Sequence, residues 1–150
     1  MTMYVFSINI STQKGQKKAP VQESFLRKDW GLEGDAHAGG GPRQLSLLAW
    51  ESIDEKNAQL KAQQANFILR PGDFAENITT RGLHLPDLRI GDRLLVGDVA
   101  ILEISQRGKV CHDKCEVYYR TGDCIMPRAC VFAIVKKSGV IQQNCRIQRL

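Results

Sequence analysis

Apolar and polar positions alternate over short stretches along most of this chain, and glycine-rich turns separate the stretches. "MYVFSINI" is rich in β-formers and predicts a first strand. "VQESFLRKDWG" alternates more loosely and predicts a second. The stretch "GLEGDAHAGGGPRQ", residues 31 to 44, holds too much glycine for a regular element. Its backbone must bend sharply or approach something closely. "SLLAWESIDEKNAQLKAQQ" then changes period. Trp50, Ile53, Asn57 and Leu60 fall near one face, with Leu47 a turn earlier, so the spacing predicts a helix with Ser46 as its N-cap. "RPGDFAENITTRG" predicts a turn and a short strand. "RIGDRLLVGDVAILEISQRG" predicts a hairpin about a Gly-Asp turn. "VFAIVKKSGVI" adds a strand and a turn, and "CRIQRL" closes as an edge strand. The pattern predicts a mainly β domain over residues 1–150: a closed or partly open β-barrel of about seven strands, with one main helix and short helical turns.

Composition changes this picture little. At 43% hydrophobic and 25% charged, 150 residues suit one folded domain. The net charge of +5 is modest and suits a small anionic ligand as well as a polyanion. The basic cluster "KGQKK" has no interleaved aromatic residue and lies in a predicted loop, so nucleic acid is not an expected partner. Neither a signal peptide nor a membrane span is visible, and a cytoplasmic location is the expectation.

The cysteines do change it. Four of the five lie within "RGKVCHDKCEVYYRTGDCIMPRAC", residues 107 to 130. An odd number without a secretion signal argues against a disulfide framework. Cys111, His112, Cys115, Cys124 and Cys130 could hold zinc, but the spacing lacks the paired C-x2-C of ribbons and fingers. A thiolate site is the third reading. Arg107, Lys109 and Lys114 flank Cys111 and Cys115, and positive charge favours the ionised sulfur that serves as ligand or nucleophile.

The ordered series "GLEGDAHAG", "RQLSLL", "PGDFAENITTRGL", "IGDRLLVGD", "GKVCHDKC" and "GDCIMPR" resembles the MOSC domain family, from about Trp30 to Val135. The resemblance implies a β-barrel that binds the molybdenum cofactor, a phosphorylated pterin whose dithiolene holds the metal. It also implies a cysteine in the "GKVCHDKC" turn as metal ligand or sulfur acceptor. "GKVC" favours Cys111 and "KCEV" favours Cys115; Cys111 is assigned as the metal ligand, with Cys115 as partner or sulfur relay. By the same resemblance the cofactor would meet Asp35, His37 and Arg43 in the glycine loop, Asn77, Thr79, Thr80 and Arg81 in "ENITTR", and Asp123 and Arg128 in "GDCIMPR". Arg43 and Arg128 are phosphate candidates. Asn and Thr offer short polar groups for a heterocycle edge. Ala129 and Cys130 depart from the Glu-Gly that often follows "MPR" in the family, and His84 stands where an acidic residue is common.

Three functions follow as expectations. The first is a cofactor- or sulfur-handling module, with the cofactor or its biosynthesis and sulfuration proteins as partners. The second is the catalytic unit of a molybdenum reductase of N-hydroxylated compounds, which would need an external electron donor because no iron–sulfur spacing or dinucleotide motif is present. The third is a zinc-holding or inert β-barrel interaction domain.

Overall fold

The computed structural model describes residues 2–108, 125 and 129–150. Among the described residues, eleven strands and one α-helix follow in the order β1 (Tyr4–Ile10), β2 (Ala19–Val21), β3 (Glu23–Arg27), β4 (Gly31–Leu32), β5 (Leu45–Ala49), α1 (Trp50–Ala62), β6 (Ile78–Arg81), β7 (Arg93–Val96), β8 (Ala100–Arg107), β9 (Val131–Lys137), β10 (Gly139–Gln142) and β11 (Ile147–Arg149). A 3-10 turn spans Leu85–Asp87. The mainly β class and the single main helix agree with the sequence. A bend at Gln22 divides the predicted second strand into β2 and β3, and "VFAIVKKSGVI" holds two strands, β9 and β10.

The strands form an eight-stranded sheet in the order β11-β7-β8-β9-β5-β6-β1-β2, with a smaller sheet β10-β3-β4 beside it. The barrel expectation holds in part: among the described residues the large sheet has two edges and no continuous ladder closes it. It curls nonetheless. An isolated bridge joins Tyr4 to Arg146, and Ile147 N donates to Met3 O at 2.9 Å, so the start of edge strand β11 reaches the start of β1. Closure by a full ladder would need longer strands; β11 has three residues.

Alternation places the core. Val5 and Ile8 of β1, Leu45 and Leu47 of β5, Ile78, Leu94, Leu102, Ile104, Ala133 and Val135 fill the concave side. The opposite face of β5 and β9 presents Leu48 and Phe132, and α1 lays Ile53 and Leu60 over them. With both faces covered, β5 reads as an almost unbroken apolar run. Such a run cannot be told from a helix by periodicity. For this reason Ser46 is not the N-cap: it lies in β5, and α1 begins after Ala49, which makes no side-chain cap bond. Among the described residues, β5, α1 and β6 make the one parallel pairing, Leu47 beside Ile78.

Glycine is required at Gly72. Its φ is +91°, and a Cβ there would stand 2.1 Å from the Lys18 carbonyl oxygen. Gly15 is also left-handed, at φ +76°, but meets nothing within 4 Å among the described residues. Gly72→Ala is expected to lose more stability in urea unfolding than Gly15→Ala, by at least about 1 kcal/mol. Equal losses would show that the Lys18 backbone yields freely.

Candidate functional site

A row of side chains crosses the outer face of the large sheet where α1 stops covering it. Gln106 of β8 is paired with Phe132 of β9, and Phe132 is paired with Ser46 of β5. Directly opposed partners share a face. Asn77, just before β6, continues the row: its Oδ1 accepts the Ser46 N–H at 3.0 Å, and its own N–H donates to Ser46 Oγ at 3.1 Å. A cleft of about 480 Å³ lies over this row, walled by His37, Gly39, Gly40 and Arg43 of the glycine loop, with Lys14 at its side.

The loop is glycine-rich for two reasons. Gly41 has a φ of +105°, which side chains resist. Gly40 has no such angle, and a Cβ there would meet nothing within 4 Å among the described residues. Its missing side chain leaves space in the cleft. Arg43 is held from two sides. Its Nε donates to Gln106 Oε1 at 3.2 Å, and its guanidinium carbon lies 5.2 Å from the Phe132 ring centroid. Among the described residues no carboxylate pairs with it. The Gln106 amide also donates to Gly108 O at 3.1 Å, where the cysteine-rich stretch begins. The arrangement presents fixed cations and small residues to an anion.

Behind the loop lies a buried ion pair. Lys18 Nζ is 2.8 Å from Asp35 Oδ1, and neither side chain is exposed. Asp35 also accepts from the backbone N–H of Ser11 at 3.1 Å and of His37 at 3.0 Å. Burial by itself would raise its pKa, but the bonds from Lys18, Asn77 and Ser11 overcome burial and hold it below the ordinary 3.8. That stabilisation is present above the unfolded pKa and is lost as pH falls through the folded one.

The structure brings His37, Arg43 and Asn77 to the cleft and places Asp35 directly behind His37. It does not bring the other three described candidates there. Thr79 is buried in a polar network, where its hydroxyl receives Asn9 Nδ2 at 3.0 Å and donates to Glu76 Oε2 at 2.7 Å. Thr80 is fully buried, and its hydroxyl has no partner among the described residues. Arg81 sits at the far end of β6, 5.9 Å over the Phe6 ring, which stacks on Trp50. Cys111, Cys115, Asp123 and Arg128 lie outside the described residues, as do His112 and Cys124. Cys130 is buried against Leu48, Ile53 and Phe132 as a small apolar residue. Sequence reasoning missed Lys18, Ser46, Gln106 and Phe132. Polar Ser7 and Asn9 within an apolar strand were the available sign of a buried polar network.

Glu76 adds an electrostatic feature beneath the cleft. It is wholly buried; Oε2 accepts from Gly72 N at 3.0 Å, and Oε1 has no partner among the described residues. Burial, opposed by the bonds from Gly72 and Thr79, pushes its pKa from 4.5 up to about 7. Between those values the folded chain keeps a proton that the unfolded chain has lost, so stability falls as pH rises through this window. The full effect is on the order of 3 kcal/mol. Glu76→Gln is expected to flatten the decline in unfolding free energy between about pH 5 and about pH 8. An unchanged slope would place the titrating group elsewhere.

Among the described residues no cluster of three or more His, Cys, Asp or Glu could hold a metal ion, and no helix is long and apolar enough to cross a membrane. Solved structures resemble the whole chain. YiiM from Escherichia coli superposes with a TM-score of 0.71 at 21% identity, covering 100% of this chain and 70% of that one. The YuaD protein from Bacillus subtilis gives 0.74 at 16% identity, covering 98% and 94%. YiiM from Geobacillus stearothermophilus gives 0.71 at 19%, covering 99% and 75%. At these identities the likeness shows the fold. No curated protein matches the chain. The sequence model of the MOSC domain matches residues 34–143, a span that takes in the glycine loop, β5, α1, the row beneath the cleft and the whole cysteine-rich stretch. The chain belongs to the MOSC domain family, which is associated with the molybdenum cofactor.

Proposed function

We propose that this protein binds the molybdenum cofactor with the phosphorylated end of its pterin in the cleft, and that a thiolate of the adjoining cysteine stretch acts on the metal or its sulfur. The observation that supports this reading best is Arg43. No carboxylate among the described residues pairs with it; it is oriented by Gln106 and Phe132, beside a glycine whose absent side chain opens the cleft. A phosphate monoester has acceptor oxygens and negative charge, and these donors match it.

The donor set fits the organic, anionic part of the cofactor. Arg43 and Lys14 would take the phosphate, and Asn77 and Ser46 would offer short polar groups to the heterocycle. The backbone at Gly39 and Gly40 allows close approach. When bound, the cofactor supplies a metal centre already carrying two sulfur ligands. Cys111 is the proposed thiolate, with Cys115 as its partner; soft sulfur suits such a metal. Sequence alone ties them to Gly108, two residues from the glutamine that holds Arg43. Holding the metal needs no further group, whereas sulfur transfer would draw its sulfur from an external sulfuration protein. The reductase reading adds an external electron donor.

Protein purified from a host that makes the cofactor should carry molybdenum and an extractable pterin. Arg43→Ala is expected to weaken cofactor binding by about 1–3 kcal/mol, the loss for a hydrogen bond to a charged group. Gly40→Leu should leave the thermal midpoint unchanged and exclude the pterin. Cys111→Ser should lose molybdenum while the domain stays folded. Wild-type protein free of both pterin and molybdenum would overturn the reading. Normal metal content in Cys111→Ser would remove that residue's role alone.

A further inference from the structure

Strand β8 carries an extra residue beside the cleft. Ile104 is paired with Ala133 and Gln106 with Phe132, so two steps along β8 answer one step along β9. Ser105 is the bulged residue. Residues two apart in a regular strand share a face, and Ile104 is buried in the core on the concave side. The bulge shifts that alternation by one and turns Gln106 to the outer face, where Phe132 and Arg43 lie. Ser105 Oγ donates to the Pro42 carbonyl, so β8 grips the end of the glycine loop at two consecutive residues, Pro42 and Arg43. The Gln106 amide has one orientation. Arg43 Nε can only donate, so the atom 3.2 Å from it is the amide oxygen. The Gly108 carbonyl can only accept, so the atom 3.1 Å from it is the amide nitrogen. A flipped amide would lose both bonds.

Building on the reading of the cleft as an anion site, we propose that Gln106 is a positioning residue, delivered by the Ser105 bulge, whose neutral amide fixes Arg43 without compensating its charge. The guanidinium is held by its Nε edge at Gln106 and by its face at Phe132, and the terminal N–H groups are left for a ligand. A carboxylate in the place of the amide would accept the same Nε–H. It would also cancel the charge at contact distance and repel an anion. An apolar side chain would keep the charge but release the edge, and the Phe132 ring alone would then orient the cation. The described lining of the cleft contains Lys14 and Arg43 and no Asp or Glu. One carboxylate added there would therefore halve its charge, which makes the amide a determinant of what the cleft accepts.

Inorganic phosphate is the probe, titrated into the full chain at one pH and several ionic strengths. Gln106→Met keeps the side-chain length and removes both bonds. It should bind phosphate about fivefold more weakly, with the parent's dependence on ionic strength, because the charge stays. Gln106→Glu keeps the acceptor for Arg43. It should bind at least about tenfold more weakly, with a shallower dependence on ionic strength, because the charge is compensated. Parent-like affinity in the methionine variant overturns the positioning role, and parent-like affinity in the glutamate variant overturns the need for a neutral group. Equal losses with one common salt dependence would reduce Gln106 to a structural residue and overturn the proposal. The bond itself is read without any ligand by ¹⁵N NMR: the Arg43 Nε–H should exchange with water more slowly in the parent than in Gln106→Met. Equal exchange overturns the hold on Arg43. Slow exchange in a parent that gives no phosphate response keeps that hold and overturns the reading of the cleft as an anion site.

Discussion

The buried contact between Lys18 and Asp35 fixes the position of everything around the cleft. It joins three segments: the end of β1 through Ser11, the approach to β2 through Lys18, and the glycine loop through Asp35 and His37. Removing two charges from water costs several kcal/mol each, and only full hydrogen bonding in the interior offsets that. Here the lysine has three acceptors, and both carboxylate oxygens are bonded. Such a pair is a poor source of net stability but a stringent source of geometry, because any displacement leaves a buried charge without a partner. A loop with three consecutive glycines needs a restraint of this kind. Without it the backbone from Ala36 to Arg43 would have many conformations of similar energy.

The cleft occupies a gap in the layering. Strand β5 is covered on its concave face by the sheet core and on its outer face by α1, but the helix starts only at Trp50. Over Leu48 the outer face is closed by Ile53 and Leu60. Over Ser46, two residues earlier, it is open. Phe132 stands at this boundary. Its ring belongs to the apolar cluster under the helix, and it also supports the Arg43 guanidinium. Apolar packing thereby fixes a cation that electrostatics alone would leave to solvent.

Much of this was legible in the sequence where local pattern and final environment agree. The β7–β8 hairpin formed about Gly97 and Asp98, and the closing edge strand followed its alternation. The misreadings share one cause, neighbours supplied by distant parts of the chain. "LSLL" looks like the start of a helix until β6 and β9 pair with it. Thr79 and Thr80 look like a polar face turned to ligand or solvent, yet β1 and β5 flank their strand, and Asn9 and Glu76 provide the partner for Thr79. Lys18 looks like the last charge of a solvated basic loop. Its burial follows from Asp35, seventeen residues away, and nothing local announces it. Cys130 sits in a basic, cysteine-rich stretch and is nevertheless an apolar core residue.

The motif series gains meaning from the pairing scheme. The glycine loop, "ENITTR" and the strand before "GKVC" are separated by tens of residues, and a linear sequence gives no reason for them to meet. The sheet order gives one. β6 runs parallel to β5, and β9 runs antiparallel to both β5 and β8. This arrangement places Asn77, Ser46, Phe132 and Gln106 in one lateral row, and the glycine loop closes over it because Asp35 holds the loop's other end. The glycine loop, "RQLSLL" and "ENITTR" thus contribute wall or floor residues to a single cavity. A fold that served only to bury its core would not need three motifs to meet where the helix leaves the sheet uncovered.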